Sequence, residues 1–454
     1  MLLDEVFGVS RDLPANYVVR EGVDGEFVNN LARDKHIVVF GSSKQGKTSL
    51  RKHSLDDDDY VVVTCSNKWT SLALVHTAIL KAVGYVVEQS TAKTAEGTNK
   101  VVAKVEGEGG VPFFAKAKAA GEAGHDSKSG QTVTTAPLEL DPGDVNDILA
   151  ALKSIDFKKF IVLEDFHYLP EETQQDFSVA LKAFHEGSDL TFIVVGVWLD
   201  ENRLLQYNGD LTERVVGVNA DAWSPEQLRE VIGKGEELLN IKFDASFRAA
   251  LISGCFESVS VAQMACHMVC EAEDVTSTRD DKTVVGSGVD AQDMIRRVVD
   301  KNSARYTSFL LNFATGFQDT TYEMYRWLLL PVLSASPEEL EEGIRYATVK
   351  TIINEHHRMG VLNPGNITQA LKSTASLQVK RKITPIVLDY DQSSQRLHTV
   401  DRGFLIWLGH QDREELLTEA GLPVPQLAKQ QQLPQQTAAH VNVLPAVEPS
   451  EQTD

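Results

Sequence analysis

Apolar and polar residues along this chain follow two periods, and the order in which the periods switch predicts the fold. Short apolar runs rich in β-branched residues fall at 37–40, 60–64 (YVVVT), 160–163 and 190–197 (LTFIVVGV), and read as strands buried on both faces. Between them a helical period returns, at 48–53, 69–83, 144–155 and 171–185. Strand and helix in alternation predict an α/β domain on a parallel, doubly wound sheet. Residues 16–31 read as a lead-in strand followed by a helix, and 223–239 and 244–272 as further helices, with Ser224 as N-cap and Pro225 at the first helical position.

The first apolar run carries chemistry. It leads into Gly41-Ser42-Ser43-Lys44-Gln45-Gly46-Lys47-Thr48 and then Ser49, the P-loop pattern G-x-x-x-x-G-K-[ST] between a strand and a helix. Gly41 and Gly46 permit backbone angles that turn N–H groups toward a phosphate, and the helix N-terminus adds its partial positive charge. Lys47 is expected to reach the β- and γ-phosphates of ATP, and the Thr48 hydroxyl to ligate Mg²⁺. The third run ends in Glu164-Asp165, the arrangement in which a buried strand delivers acids beside Mg²⁺ and the γ-phosphate. Such pairs usually read Asp-Glu. Here the register puts Glu164 near the metal and Asp165 near the attacking water, with an exchange of the two roles left open and slow hydrolysis implied.

Composition limits the alternatives. The 454 residues suffice for two or three domains, and no run of 18 apolar residues or basic-then-apolar leader is found, so a cytoplasmic protein is expected. Four cysteines without a CxxC pair exclude a zinc ribbon and a disulfide framework; Cys266, His267 and Cys270 are read as core residues. A formal net charge of −21 confines any nucleic-acid contact to a local patch.

The region 88–137 turns to Gly, Ala, Lys, Ser and Thr and reads as an insertion, either partly disordered or a projecting hairpin of 100–105 with 111–117 around 107–110. Beyond a polar linker at 276–288, helices are expected at 291–299, 322–333, within 336–357 and from Ile367 to Val379, followed by strands at 386–390 and 396–400. Three helices and a two-stranded hairpin suggest a winged helix. Used on DNA, its contacts would be Lys372, Lys380, Arg381, Lys382 and Arg396, although Glu338, Glu339, Glu341, Glu342, Asp389 and Asp391 dilute that charge. A protein-docking role is the other reading. Phe404, Ile406, Trp407 and Leu408 read as a closing core element, and the Pro/Gln-rich segment 422–454 as a disordered tail.

The P-loop strand, the SKQGKT loop, LEDFHYLP (163–170), the strand ending Gly196-Val197 and GDLTERVVGVNADAW (209–223) together resemble the AAA+ superfamily over about residues 10–275. Within it the likeness is to bacterial relatives of origin-recognition and transposon-type ATPases and to STAND signalling ATPases. The resemblance implies an ATPase core at 1–217, a helical lid at 218–275 and a winged-helix domain at 289–421. It further implies a polar sensor after the fourth strand, for which Asn202 is the candidate, and an arginine that completes a neighbouring subunit's site, for which Arg214 holds the similar place. The usual lid arginine has no counterpart in ESVSVAQ (257–263). The implied function is an ATP-binding, self-assembling switch that engages a partner through its winged helix and inserted hairpin. The alternatives are a DNA-binding replication or transposition ATPase, and a signalling or antiviral-defence ATPase working with a separate effector.

Overall fold

In the computed structural model the described residues are 1–8, 12–93, 99–105, 137–221, 223–317 and 321–425. A short helix, α1 (Glu26–Leu31), leads to β1 (His36–Phe40), α2 (Lys47–Ser54), β2 (Tyr60–Thr64) and α3 (Leu72–Ala82). The chain then leaves the sheet for three strands, β3 (Tyr85–Lys93), β4 (Asn99–Val105) and β5 (Leu138–Leu140). It returns through α4 (Val145–Ser154), β6 (Phe160–Glu164), α5 (Glu171–Gly187), β7 (Phe192–Val195) and β8 (Val215–Asn219).

The central sheet runs β2-β6-β7-β1-β8, with every pairing parallel. Ile37 stands beside Ile193 on one side and Val216 on the other, so β1 is central, and all five of its residues are buried. Parallel strands covered on both faces need continuous apolar runs, which is why these segments were readable. The carboxyl ends of β1, β6 and β7 meet at one edge of the sheet, where ligands of open α/β folds bind.

Two departures from the sequence reading lie in this half. Residues 16–20 are extended but pair with no strand; the Asn16 amide bonds the Val231 carbonyl and Gln263, so the lead-in is held by the lid region instead. In the insertion, β4 pairs with β3 on one side and β5 on the other, so the partners of 100–105 are Tyr85–Lys93 and Leu138–Leu140. The expected partner 111–117 lies outside the described residues.

After β8 come α6 (Pro225–Leu239), β9 (Ile241–Phe243), α7 (Ala245–Gly254), α8 (Val259–Ala272) and β10 (Thr283–Val285). Ser224 and Gln227 form a capping box that starts α6, with Pro225 at its first position. Thr283–Val285, within the stretch read as a linker, pairs in parallel with β9. The chain continues through α9 (Ala291–Asp300), α10 (Ser303–Ala314), α11 (Met324–Ser334), α12 (Pro337–Glu342), β11 (Ile344–Arg345), α13 (Tyr346–His356), α14 (Pro364–Lys372) and α15 (Thr374–Lys380). Then follow β12 (Leu388–Asp391), β13 (Arg396–Thr399), α16 (Arg402–Gly409) and α17 (Arg413–Glu419). β11, β13 and β12 form an antiparallel sheet.

One apolar cluster runs from Leu228 and Cys266 through Ile295 to Trp407, so the lid helices and the C-terminal region share a core. Cys255, Cys266 and Cys270 are buried in it, while His267 pairs with Asp4. Among the described residues no three His, Cys, Asp or Glu side chains are grouped to hold a metal ion, and no helix is long and apolar enough to cross a membrane.

Candidate functional site: the P-loop cavity

The turn after β1 is shaped by backbone angles that side chains resist. Gly41 has φ 139°, and a Cβ there would stand 2.9 Å from the Asp221 backbone nitrogen; Gly46 has φ 86° at the N-terminus of α2. The loop borders a cavity of about 320 Å³, walled by Ser43 to Ser49, by Glu164, Asp165 and His167, by Val195 to Val197, and by Val259, Ser260 and Gln263 of the lid. Gly8 and Pro14 close it from the N-terminal side. Such a volume suits a small ligand held by a few polar groups.

Lys47 is buried and turned onto its own loop, donating to the Gly41 carbonyl at 2.9 Å and the Ser42 carbonyl at 2.6 Å. Burial pushes its pKa down to about 8, against the pull of Asp221, Glu164 and Asp165. The neighbouring amides are engaged as well. Ser42 N–H donates to Asp221 Oδ1 at 2.6 Å, and Ser43 N–H to the Val400 carbonyl at 2.9 Å. Asp221 is in turn held by Arg402 at 2.9 Å; Arg402 also reaches the Phe256 carbonyl and Glu341, with Glu257 at 3.6 Å. Burial raises the Asp221 carboxyl, but Arg402 and Ser42 outweigh it and hold the group below its usual range.

The acid pair divides. Glu164 ends β6 and is held by Arg51 of α2 at 3.1 Å, with Arg51 lying over the Tyr60 ring. Asp165 turns the chain at φ 57° and has no side-chain hydrogen bond among the described residues. Burial raises both carboxyls, opposed by Arg51 at Glu164 and by Lys47 at Asp165. With the Thr48 hydroxyl, Asp165 and Glu164 supply hard oxygen donors of the kind Mg²⁺ takes.

Two expected residues lie away from this cavity. Trp198 folds beneath Gly196, where a Cβ would come within 1.6 Å of its ring, and the chain beyond turns outward. Asn202 therefore does not line the cavity; its backbone N–H bonds Asp200. Arg214 sits at the amino end of β8, beside His36 and at the far end of the sheet from its own P-loop, bonded to Glu186 and the Asp210 carbonyl.

His167 was not singled out from the sequence. It is 4% exposed, accepts the Val197 N–H on Nδ1 at 3.3 Å, and its Nε2 has no partner among the described residues. Burial holds its pKa down to about 3. The signal lay in LEDFHYLP, two residues beyond the acid pair.

The C-terminal basic residues are largely engaged within the chain. Arg381 donates to the Gly316 carbonyl, Arg396 to the carbonyls of Glu342 and Gly343, and Lys380 lies over Phe317. Val379 of α15 packs with Val197, Ile386 and Val400 against Tyr168 and Leu199. The turn of the β12–β13 hairpin is tied down too, with Arg203–Asp389 at 2.8 Å and Ser393–Asp200 at 3.1 Å. In this arrangement the hairpin and the end of α15 face the P-loop half. Lys372, Lys380, Arg381 and Lys382 are all exposed.

No family model and no curated protein matches the sequence. Among solved structures, the Walker-type ATPase PABY2304 of Pyrococcus abyssi is similar over 89% of this chain and 99% of its own, with TM-score 0.53 at 9% identity. The Aeropyrum pernix ORC2 protein, solved with ADPNP and ADP, covers 91% of this chain and 98% of its own at TM-score 0.44 and 14% identity. The Aeropyrum pernix ORC1 protein solved with DNA covers 91% and 96% at TM-score 0.39 and 11% identity. With its parallel sheet, its P-loop between β1 and α2, and acids ending β6, the chain has an α/β P-loop fold like that of the Walker-type ATPase of Pyrococcus abyssi.

Proposed function

We propose that this chain is an ATP-binding switch that hydrolyses slowly and couples its nucleotide site to the position of its C-terminal region, read as a winged helix. One observation carries the coupling. The P-loop is bonded to that region, through Ser43 N–H to the Val400 carbonyl and through Ser42 N–H to Asp221 and on to Arg402. Lys47 holds the carbonyls of Gly41 and Ser42. When Lys47 turns to a phosphate it releases both carbonyls, next to the amides that bind Asp221 and Val400.

Thr48 and Asp165 would hold Mg²⁺, with Glu164 fixed beside them by Arg51, and the ion would supply positive charge against the phosphates. Asp165 is the carboxylate without a competing cation contact, which favours it for the metal over the register-based choice of Glu164. The segment around Gly8 and Pro14 and the lid residues Val259 and Gln263 would enclose the rest of the nucleotide. Arg214, away from its own P-loop, would have to act on a second copy, which would tie hydrolysis to self-assembly.

Calorimetric titration tests the core of this reading: wild type should bind Mg²⁺-ATP and Lys47→Ala should not. Equal affinity in the two proteins would overturn it. Light scattering with and without Mg²⁺-ATP tests assembly, since a monomer in both states removes the role of Arg214. The DNA-binding alternative requires the C-terminal region to undock first, because α15 and the hairpin face the P-loop half. It predicts salt-sensitive DNA binding that Lys380→Glu with Arg381→Glu abolishes.

A further inference from the structure

The cavity wall formed by Val195, Gly196 and Val197 carries no side-chain donor at the end of β7, where a polar residue would meet the terminal phosphate. Asn202, the sensor candidate of the sequence, is not among the residues that line the cavity. The donor arrives from the neighbouring strand. After Asp165 reverses the chain, the turn Phe166–Tyr168 carries His167 back against the cavity.

A ring nitrogen that accepts an amide N–H carries no proton itself. Because Nδ1 of His167 accepts from Val197, the proton of this neutral ring resides on Nε2. That Nε2–H is buried and bonded to nothing among the described residues. Buried donors are rarely left so without a function or an absent partner. His76 supplies the contrast. Its Nδ1 faces the Pro142 carbonyl, so its unpartnered Nε2 is a lone pair among core residues, and it borders no cavity.

We infer that His167 is a positioning residue for the terminal phosphate: its Nε2–H donates to a γ-phosphate oxygen, and its Nδ1 ties that contact to Val197. A phosphate oxygen accepts and does not donate, as this N–H requires, and a diphosphate has no group at that point. The contact has an outlet. Tyr168 lies 4.0 Å from the His167 ring and, with Val197, packs against Val379, Ile386 and Val400 of the C-terminal region. The presence of the third phosphate is thereby registered where the two halves meet. This inference rests on the ATP-site reading above and assigns it a discriminating residue.

The test compares wild type, His167→Leu and His167→Asn by calorimetry with Mg²⁺-ATPγS and Mg²⁺-ADP. Wild type should prefer the triphosphate, and His167→Leu should lose about ten- to a hundredfold of triphosphate affinity, the worth of one hydrogen bond to a charged group. Its ADP affinity should stay within about twofold, because no γ-phosphate is present to miss the bond. Asn, which restores an N–H donor, should recover most of the loss; a merely structural role would move both nucleotides together. In unmutated protein labelled with ¹⁵N-histidine, the His167 proton should sit on Nε2 and its resonance should shift with ATPγS but not with ADP. Unchanged triphosphate affinity in His167→Leu, or a proton on Nδ1, overturns the inference while leaving the ATP-site reading intact. A wild type that binds neither nucleotide overturns both.

Discussion

Arg203 should be the residue whose loss separates the two halves of the molecule. It forms the 2.8 Å pair with Asp389 in a seam where its side chain is 14% exposed and that of Asp389 3%. Three carboxylates meet in this seam, Asp200, Asp389 and Asp391, and burial together with Asp391 pushes the Asp200 pKa up. In Arg203→Met the Asp389 charge stays buried beside two others with its cation gone. Removing one partner of a buried pair costs about 3–5 kcal/mol, or a factor of roughly 10² to several thousand in the docking equilibrium. The core around Ile193 and the core around Trp407 lie outside this seam, so the variant should loosen the docking without unfolding either half, with the contact of Val379, Ile386 and Val400 on Val197 and the bonds of Arg402 left to resist it. Spin labels at Val179 and Val361, both strongly exposed, would report the separation, since all four native cysteines are buried. Wild type should give one narrow distance and Arg203→Met a broad, longer distribution. Arg203→Met with Asp389→Leu should narrow again, because the uncompensated charge is removed with its partner. Acid should also narrow the single variant, as Asp200 takes up a proton first. A distribution for Arg203→Met that matches wild type would refute the argument that this pair holds the seam.

Three further outcomes follow from the same structure. Burial sets Lys47 near 8, and a bound phosphate restores its charge; ATP binding at about pH 9 should therefore take up close to one proton and at about pH 6 none, seen as a dependence of binding enthalpy on the buffer's ionisation enthalpy at the higher pH alone. His36 and His76 are held down to about 4 by burial, so between 6.5 and 4 the unfolded chain binds more protons than the native one. Stability should therefore drop as the pH is lowered through that window, by up to about 1.4 kcal/mol per unit for each histidine. Denaturant titrations should show that slope shrink in His76→Phe. Gly196→Ala places a Cβ 1.6 Å from the fully buried Trp198 ring and should cost about 1–3 kcal/mol or more; a melting temperature equal to wild type would contradict that packing.

What the sequence made legible is what short-range physics fixes. The P-loop needs Gly41 and Gly46 at their spacing whatever else surrounds them, and a strand covered on both faces needs a run such as FIVV; YVVVT has the same look but forms the edge strand β2, where Val62 is exposed. What stayed hidden is set by contacts across long separations. Ser42 meets Asp221 179 residues away, Arg51 meets Glu164 113 away, and Arg402 meets Asp221 181 away. No local pattern marks Arg51 as the partner of an acid, so the two carboxylates looked equivalent until that pair divided them. Helix α10 is a different case, because its Tyr306, Phe309, Leu310 and Phe313 carry a plain helical period that was passed over. The sequence also does not show what a basic residue meets: Arg381 and Arg396 sit where chain ends leave free carbonyls, and a guanidinium satisfies those as readily as it does a phosphate.

The charge of the chain explains why so few residues control its docking. With a net charge of −21, two of its surfaces brought together repel unless a cation is buried between them. Arg402 alone answers Asp221, Glu257 and Glu341, and Arg203 sits opposite Asp389 with Asp200 beside it. A triphosphate would add further negative charge next to Asp221, on the side of that carboxylate now held by Ser42 N–H. It would also draw Lys47 off the carbonyls of Gly41 and Ser42. Both changes would act on the Ser42–Asp221–Arg402 chain of bonds, which on the reading proposed above would carry charge at the P-loop to the interface. For this reason Asp221→Asn, which keeps the shape and removes the charge, should weaken the link between nucleotide and docking while leaving the P-loop fold intact. The label separation would then respond less to ATPγS than in wild type. An undiminished response would place the coupling in the Ser43–Val400 bond instead.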